Sequence, residues 1–222
     1  MHLKVSVPPG SARQDGADAT NPAAQIALKN LFSISEYVSA KRISVYLSMP
    51  AGEISTTPIV EDALRQGKKV FIPCISKALS PVTGGHPASL MDMLALHSKA
   101  DFEAFARDSW GIPTPSMDSI SERENCLGDI GRGKAEWVGT EEGEGGLDLI
   151  VMPGMAFDTG LRRLGHGKGY YDFFLQRYSD SRKKGTSMPC LGQFADDHCE
   201  LFSIRPLTLL RSWTGAEGAG AA

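Results

Sequence analysis

The sequence predicts an α/β protein in which a mostly parallel sheet carries helices on both faces. Segments with strand patterning alternate with segments of helical spacing along most of the 222 residues, which is the order expected of a layered α/β fold. Residues 147–152 are almost entirely apolar, as in a strand at the centre of a parallel sheet that helices cover. We therefore predict a three-layer α/β/α, Rossmann-like architecture.

Composition argues against several classes of partner. The formal net charge of −3 gives no broad cationic field for nucleic acid or an anionic membrane. We also find no secretory signal at the start and no stretch near the roughly 20 apolar residues of a membrane span. The cysteines have no CxxC or zinc spacing and predict reduced thiols: Cys74, Cys126, Cys190 and Cys199. We expect a monomer in the cytoplasm, with the mitochondrion as the alternative, and neither nucleic acid nor membrane as a partner.

The first third of the chain predicts a disordered segment, a helix and a strand. Residues 1–23 are rich in Pro, Gly, Ala, Asp and Ser without apolar periodicity, which predicts disorder. Residues 42–49 alternate and contain β-branched side chains, so they predict a strand ended by Pro50 and Gly52. Between them, before Lys41, apolar residues at helical spacing predict an amphipathic helix: Ile26, Leu28, Leu31, Ile34 and Val38.

A second helix and strand follow. Thr57 is a candidate N-cap, Pro58 suits the first helical position, and Gly67 suits the position just past the helix end. Residues 70–72 predict a strand stopped by Pro73, and residues 76–87 have the composition of a loop.

The last part of the chain contains the central strand and a helix. Residues 121–146 are polar and rich in Gly and Glu, which predicts a flexible segment before the strand at 147–152. A glycine-rich loop then leads into a helix with an aromatic face over residues 168–178. We predict one α/β domain over residues 24–210 and a low-complexity tail over residues 211–222.

The glycine-rich loop predicts an anion site. Gly165, Gly167 and Gly169 alternate with His166 and Lys168 just before the helix. Glycine permits φ > 0 and close approach of a ligand to the backbone, and amides at a helix start favour negative charge. The pattern matches neither the Walker loop nor the dinucleotide fingerprint, so a structural turn is the competing interpretation.

Two cations and one carboxylate in or near the loop bear on these interpretations. Lys168 offers a mobile cation for a terminal phosphate, and Arg163 could hold a further phosphate oxygen. Both favour a phosphate site. Asp172, in the first turn of the predicted helix, is either a carboxylate that complements the helix dipole or a Mg²⁺ ligand that acts together with phosphate oxygens. The residues alone leave these two roles open.

The same residues resemble a known family. Residues 146–158, followed by residues 163–172, resemble the signature of the 5-formyltetrahydrofolate cyclo-ligases, also called 5,10-methenyltetrahydrofolate synthetases. That family usually has Arg or His where His166 stands. The resemblance runs from about Ser35 to about Tyr178, and three further stretches agree with it: residues 41–49 with Glu53, residues 91–93 and residues 109–115.

The resemblance implies an ATP- and Mg²⁺-dependent conversion of 5-formyltetrahydrofolate to 5,10-methenyltetrahydrofolate, with release of ADP and phosphate. Transfer of the γ-phosphate to the formyl oxygen makes an activated imidate. The N10 nitrogen then attacks the formyl carbon and phosphate leaves. In such a reaction the protein mainly positions the reactants and neutralises phosphate charge.

Site residues follow from the resemblance position by position. Lys168 and His166 are the implied catalytic residues, and Asp172 is the implied Mg²⁺ ligand. The implied folate contacts are Leu47, Glu53 and residues 166–170. Without the family, Glu53 is simply a loop acid. Met49, Met93 and Trp110 offer apolar surface for a pterin, although core packing is the better expectation for each. The implied ATP-binding residues are Arg163, Leu164, Gly165, His166, Gly167, Lys168, Gly169, Tyr170 and Tyr171.

Both ends depart from the family's pattern. The family usually begins with a helix that carries a Lys-x-x-Leu-Arg motif, and residues 1–23 do not contain it. Residues 202–222 do not follow the family's final strand, and neither Asp196 nor Asp197 is assigned as the second magnesium ligand. An active cyclo-ligase and a catalytically impaired folate- or nucleotide-binding relative therefore remain as two hypotheses.

Overall fold

The computed structural model describes residues 22–50, 53–77, 89–132, 146–157, 163–165, 167–181, 190–195 and 203–206. Its helices are α1 (Pro22–Ser33), α2 (Ser35–Ser39), α3 (Thr57–Arg65), α4 (Lys99–Glu103), α5 (Met117–Ile120) and α6 (Tyr170–Ser181). Its strands are β1 (Arg42–Val45), β2 (Lys69–Lys77), β3 (Ser89–Leu96), β4 (Ala106–Arg107), β5 (Pro113–Thr114), β6 (Leu149–Gly154), β7 (Ala156–Phe157), β8 (Arg163–Leu164), β9 (Cys190–Ala195) and β10 (Ser203–Pro206).

A six-stranded sheet organises the described residues, in the order β10-β9-β6-β1-β2-β3. The pairs β1–β2, β1–β6 and β6–β9 are parallel, whereas the outer strands β3 and β10 are antiparallel to their neighbours. The predicted α/β class with a mostly parallel sheet is therefore confirmed. The apolar strand at the centre is β6, and residues 147 and 148 precede it.

Helices cover the two faces of this sheet. Leu149 and Val151 of β6 point into a core cluster that contains residues from α1, α2 and α3. The alternate residues, Ile150 and Met152, point into a second cluster that contains Phe174 from α6. This alternation gives the predicted three layers, because successive side chains of a strand point to opposite faces.

The first predicted helix is broken in two. Ile34 has an extended backbone, with φ −79° and ψ 145°, and its side chain packs against the core between α1 and α2. Val38 was predicted on the apolar face, but it is 59% exposed. The buried ammonium of Lys68 donates hydrogen bonds to the carbonyls of Tyr37, Val38 and Ala40, at 2.9, 3.1 and 2.7 Å. Lys68 therefore satisfies carbonyls at the end of α2 that the short helix cannot satisfy itself.

The prediction that Pro73 ends the second strand was wrong. β2 runs from Lys69 to Lys77, and its residues 70–77 pair with β3. Its pairing with β1 covers only residues 69–71, so Pro73 lies where β2 has a ladder on one side, which is the setting a sheet tolerates. β3 itself was not predicted, and residues 91–93 lie within it.

The second predicted helix is confirmed with a one-residue shift at its start. α3 begins at Thr57 after an N-cap at Thr56, with Pro58 in the first turn, and Gly67 follows its end with φ +73°. Its buried residues are Ile59, Val60 and Ala63.

The ends of the chain differ from the expectations. α1 begins at Pro22, inside the segment predicted to be disordered, and residues 1–21 lie outside the described residues. Residues 203–206, where the sequence departs from the family's pattern, form β10 against β9. Residues 78–88 and 133–145, which are parts of the two predicted loop segments, and the predicted tail over residues 211–222 also lie outside the described residues. The prediction that the second segment is flexible was wrong for residues 121–132, where Arg123, Asn125 and Cys126 are buried.

Two further expectations concern thiols and membranes. Cys74 and Cys126 are buried free cysteines, as predicted, and burial raises the pKa of the Cys74 thiol to about 12. Among the described helices, none is long and apolar enough to cross a membrane.

Candidate functional site

The glycine-rich loop lies at the carboxyl edge of the sheet. β6 ends at Gly154, and the β7–β8 hairpin returns the chain to that point, where the Met155 amide donates to the Leu164 carbonyl at 2.9 Å. Because β1 and β6 are parallel, the segments that follow them leave the same edge of the sheet. Ligands of open α/β sheets bind at this edge.

The backbone of the loop has the conformation that its glycines predicted. Gly167 and Gly169 have φ values of +78° and +69°. Gly169 accepts the first hydrogen bond of α6, from the Phe173 amide at 2.9 Å. Lys168, between the two glycines, is exposed, and Tyr170 begins the helix. An exposed cation therefore stands at the N-terminus of a 12-residue helix, which is the arrangement that favours an anion.

Arg163 is anchored within the protein. Its Nη1 donates to the Pro153 carbonyl at 3.2 Å, and its Nη2 lies 3.1 Å from Asp172 Oδ1. The guanidinium also lies over the Tyr171 ring, 5.4 Å from the ring centre, and the side chain is only 10% exposed. The sequence predicted a phosphate contact for Arg163; the contacts shown by the structure join the end of β6 to the first turn of α6.

Gly165 is needed for this arrangement. A Cβ atom built on Gly165 would lie 2.8 Å from Arg163 Nη1. Gly165 therefore leaves room for the guanidinium, a role that the spacing of the loop did not reveal. Leu164, which precedes Gly165 at the end of β8, is 50% exposed.

Asp172 has a position that either of its two predicted roles would need. It lies in the first turn of α6 and its side chain is 67% exposed. Among the described residues there is no group of three or more His, Cys, Asp or Glu side chains that could hold a metal ion. Asp172 can therefore contribute one carboxylate to Mg²⁺, which commonly takes its remaining ligands from phosphate and water.

Tyr171 connects the loop with Glu53. Burial raises the pKa of the Tyr171 hydroxyl; the nearby Arg163 guanidinium opposes this rise, and the Glu53 carboxylate adds to it. The packing agrees with these effects, because Tyr171 lies against the core cluster that contains Leu47 and Ile54, from the segment around Glu53.

Glu53 is a buried side chain that shapes the loop after β1. It is 5% exposed, and its Oε2 accepts a hydrogen bond from the Met49 amide at 2.7 Å. Glu53 thus lies outside the helices and strands, as the interpretation as a loop acid expects, but its carboxylate is buried and holds the Met49 amide. Leu47 is also 5% exposed and lies on the same stretch.

A cavity of about 660 Å³ opens beside this turn. Its volume is in the range of small-molecule sites. The cavity is lined by residues from the end of β1, the start of α3, α4 and the β4–β5 hairpin: Leu47, Ser48, Met49, Pro50, Ser55, Thr56, Thr57, Phe102, Glu103, Phe105, Arg107 and Pro113. The lining residues after position 100 were missed, although two phenylalanines and an arginine within six residues were a signal in the sequence.

The β4–β5 hairpin packs directly on the loop after β1. A Cβ atom on Gly111, which has φ +78°, would lie 2.6 Å from Pro50 Cγ. Trp110, beside it at the hairpin turn, is 67% exposed. Core packing, the better expectation for Trp110, Met49 and Met93, is wrong for exposed Trp110 and confirmed for Met93, whose sulfur accepts a hydrogen bond from Ser44. Met49 lines the cavity.

The structure thus brings together most of the predicted site residues. Leu47 and Glu53 lie at the end of β1, and the loop from Arg163 to Asp172 lies at the end of β6. His166 lies outside the described residues.

Comparison with known proteins identifies the family. The model of the 5-formyltetrahydrofolate cyclo-ligase family matches residues 12–196. The chain belongs to this family. The match extends beyond both ends of the resemblance seen in the sequence, which covered about Ser35 to Tyr178.

Curated cyclo-ligases are longer than the matched part. The 5-formyltetrahydrofolate cyclo-ligase of Mus musculus is 36% identical over 143 residues, which are 64% of this chain and 57% of that protein. A probable 5-formyltetrahydrofolate cyclo-ligase of Schizosaccharomyces pombe is 32% identical over 154 residues, 68% of this chain and 59% of that protein. The match therefore spans somewhat more than half the length of these two relatives.

Solved structures include an NMR structure of the 5,10-methenyltetrahydrofolate synthetase of Aquifex aeolicus. It is 24% identical, with a TM-score of 0.48, and the match covers 89% of this chain and 87% of that one.

Proposed function

We propose that the chain catalyses the ATP- and Mg²⁺-dependent cyclisation of 5-formyltetrahydrofolate to 5,10-methenyltetrahydrofolate, with release of ADP and phosphate. The observation that carries this proposal is the junction between the cavity and the glycine-rich loop. Glu53 accepts a hydrogen bond from Met49, which lines the cavity, and Tyr171 at the start of α6 packs against the core cluster that contains Leu47 of the cavity wall. A folate in the cavity would therefore lie next to the part of the chain that suits a phosphate.

The reaction needs a phosphate acceptor and a nucleophile in the same substrate. The formyl oxygen attacks the γ-phosphorus, ADP leaves, and the formyl carbon becomes an imidate phosphate. The N10 amine then attacks this carbon, and loss of phosphate and of the N10 proton completes the five-membered ring. Both steps depend on orientation and on neutralisation of phosphate charge.

The residues of this chain have distinct proposed roles. Lys168 is exposed between two glycines of positive φ and would neutralise the transferring phosphate, together with His166. The amides at the start of α6 would bind phosphate oxygens, and Arg163 would hold the loop through the contacts it makes to Pro153 and Asp172. Leu47 and Glu53 would bind the folate.

Magnesium would be held by Asp172 and by phosphate oxygens. When bound, it would supply charge neutralisation for the nucleotide. Asp172 fits this role because its carboxylate is 67% exposed beside the glycine-rich loop.

A second candidate is a relative that binds folate or nucleotide with little or no turnover. It is favoured by the ion pair between Asp172 and Arg163 and by the absence, among the described residues, of a group of three or more His, Cys, Asp or Glu side chains that could hold a metal ion. We also propose a monomer that acts in the cytoplasm; the mitochondrion is the alternative, and one relative, from Arabidopsis thaliana, is named as mitochondrial.

The substitution Lys168→Met tests the phosphate site. We expect it to abolish formation of the methenyl product while folate still raises the unfolding temperature, since Lys168 is exposed and contributes little to the fold. Lys29→Met, at an exposed position of α1, is the matched control and should retain activity. Near-normal turnover of Lys168→Met would reject the role of this lysine.

A further inference from the structure

Arg107 is an exposed cation on the wall of the cavity. It belongs to β4, where it pairs with Pro113 of β5. Its Nη1 donates to the Gly111 carbonyl at 2.8 Å. This bond holds the side chain along the hairpin and leaves other N–H groups of the guanidinium for a ligand, because a guanidinium has five donors.

Arg107 differs from most arginines of the described residues in having no carboxylate partner among them. Five others form such pairs within the same part of the chain: Arg42, Arg65, Arg123, Arg163 and Arg177. A cation that faces a cavity without a protein counter-ion is well placed to bind an anionic group of a ligand.

The acidic side chains near Arg107 are engaged elsewhere. Glu103, which also lines the cavity, has its carboxylate 3.7 Å from Lys99 Nζ. Asp108, the next residue, accepts hydrogen bonds from the Trp110 and Ile112 amides at 2.8 and 2.9 Å.

The rest of the wall suits an aromatic group. Phe102 and Phe105 both line the cavity, with ring centres 6.2 Å apart in an edge-on arrangement, and Pro113 adds a further apolar surface. A reduced folate has an aminobenzoyl ring followed by a glutamate that carries two carboxylates. The cavity wall contains both kinds of group that such a ligand needs, apolar rings and a guanidinium.

We propose that Arg107 binds a carboxylate of the glutamate tail of the folate, and so determines whether the site prefers glutamylated folates. This inference rests on the proposed function, because it assumes that the cavity binds the folate. It adds a binding residue on the β4–β5 hairpin to those at the ends of β1 and β6.

The test compares two ligands and two variants, in the absence of nucleotide. The ligands are 5-formyltetrahydrofolate and an analogue in which a neutral methylamide replaces the glutamate. The variants are Arg107→Gln and, as a matched control, Arg132→Gln. Arg132 also lacks a carboxylate partner among the described residues, but it is not part of the cavity wall and contacts the Met117 sulfur.

For Arg107→Gln we expect the dissociation constant of 5-formyltetrahydrofolate to rise about three- to tenfold. This range lies between the usual effect of losing an exposed ion pair and that of losing a hydrogen bond to a charged group. The dissociation constant of the neutral analogue should not change, and Arg132→Gln should change neither value. Arg107→Lys should weaken binding of the glutamylated ligand less than Arg107→Gln does.

Two results would overturn the inference. An equal change for both ligands, or no change for either, would show that Arg107 does not contact the glutamate while leaving the proposed function standing. Wild-type protein that binds neither ligand would overturn the proposed function and this inference with it.

Discussion

Arg163 shows how one side chain can organise the candidate site. Its guanidinium contacts the Pro153 carbonyl, the Asp172 carboxylate and the face of Tyr171, so it fixes the geometry between the end of β6 and the start of α6. The sequence predicted the type of residue that the loop needs, a cation, but not its partners. Partners depend on the hairpin that brings Arg163 back to Pro153, and this hairpin has no strong sequence signal.

The substitution Gly165→Ala adds one methyl group beside the Arg163 guanidinium and so tests whether its position matters for the site. The added Cβ would lie 2.8 Å from Arg163 Nη1, so the guanidinium must move and its contacts with Pro153 and Asp172 should be lost. We expect nucleotide affinity to fall several-fold, with an unfolding free energy lowered by about 1 kcal/mol or less, because the displaced atoms are the end of a flexible side chain. Calorimetric titration with Mg-ATP measures the first and urea denaturation the second.

The control for Gly165→Ala is the same substitution in an Arg163→Ala background. Without the guanidinium the added methyl meets no obstacle, so the second substitution should have little further effect. Equal losses in both backgrounds would show that Gly165 acts through its own backbone and not through Arg163.

At the scale of elements, α6 is fixed to the sheet by a buried ion pair. Arg177 Nη2 lies 2.7 Å from both the Met91 carbonyl and Asp92 Oδ1 on β3. Asp92 is 4% exposed and Arg177 is 20% exposed. This pair orients the helix whose first turn carries Tyr171 and Asp172, so its effect reaches the candidate site.

Arg177→Met should lower the unfolding free energy by about 3 kcal/mol, because it leaves the buried Asp92 carboxylate without its cation. We take the low end of the usual range because Arg177 Nη1 has no hydrogen-bond partner within the described residues. Glu61→Gln, which breaks the exposed pair with Lys99 at 2.8 Å, is the control and should cost about 0.5 kcal/mol. If urea denaturation gave similar losses of unfolding free energy for both variants, the buried pair would contribute no more to stability than the exposed one.

The ion pair between Asp101 of α4 and Arg123 makes the stability of the fold depend on pH. Hydrogen bonds from Arg123 lower the pKa of Asp101 against the effect of burial, and the His97 amide lowers it further. Because the folded-state pKa is lower than that of the unfolded chain, this stabilisation is complete above about pH 4 and is lost as the pH falls toward the folded-state pKa.

Asp101→Asn should therefore destabilise the protein at neutral pH and have a smaller effect at pH 3. The comparison is the unfolding free energy of wild type and variant across this range, with Asp180→Asn as a control on exposed α6 surface. A difference between wild type and Asp101→Asn that stayed constant with pH would contradict the assignment.

Elements with local signals were predicted, whereas those defined by their neighbours were not. α3 has Pro58 in its first turn and Gly67 after its end, and these signals act through local backbone geometry. β3 was missed and β2 was ended too early at Pro73, because the β2–β3 pairing is a long-range antiparallel ladder. The break at Ile34 likewise follows from burial against the core, which periodicity cannot reveal.

At the scale of the molecule, the sheet order places the two halves of the candidate site at one edge. β1 and β6 are adjacent and parallel, so the segments that contain Glu53 and the glycine-rich loop leave the same edge of the sheet, although about 110 residues separate them. The sequence contained the residues of both halves. The third part, the wall formed by α4 and the β4–β5 hairpin, was not predicted, because only the folded chain shows that Phe102, Phe105 and Arg107 line one cavity with the end of β1.

Product formation by the whole chain tests the central claim most directly. Purified protein is mixed with 5-formyltetrahydrofolate, Mg²⁺ and ATP, and the absorbance of 5,10-methenyltetrahydrofolate is followed together with released ADP. We predict a rise in absorbance that requires both ATP and Mg²⁺, with one ADP formed for each product. A flat trace from folded protein that still binds folate would contradict the claim of catalysis and would favour the relative that binds without turnover.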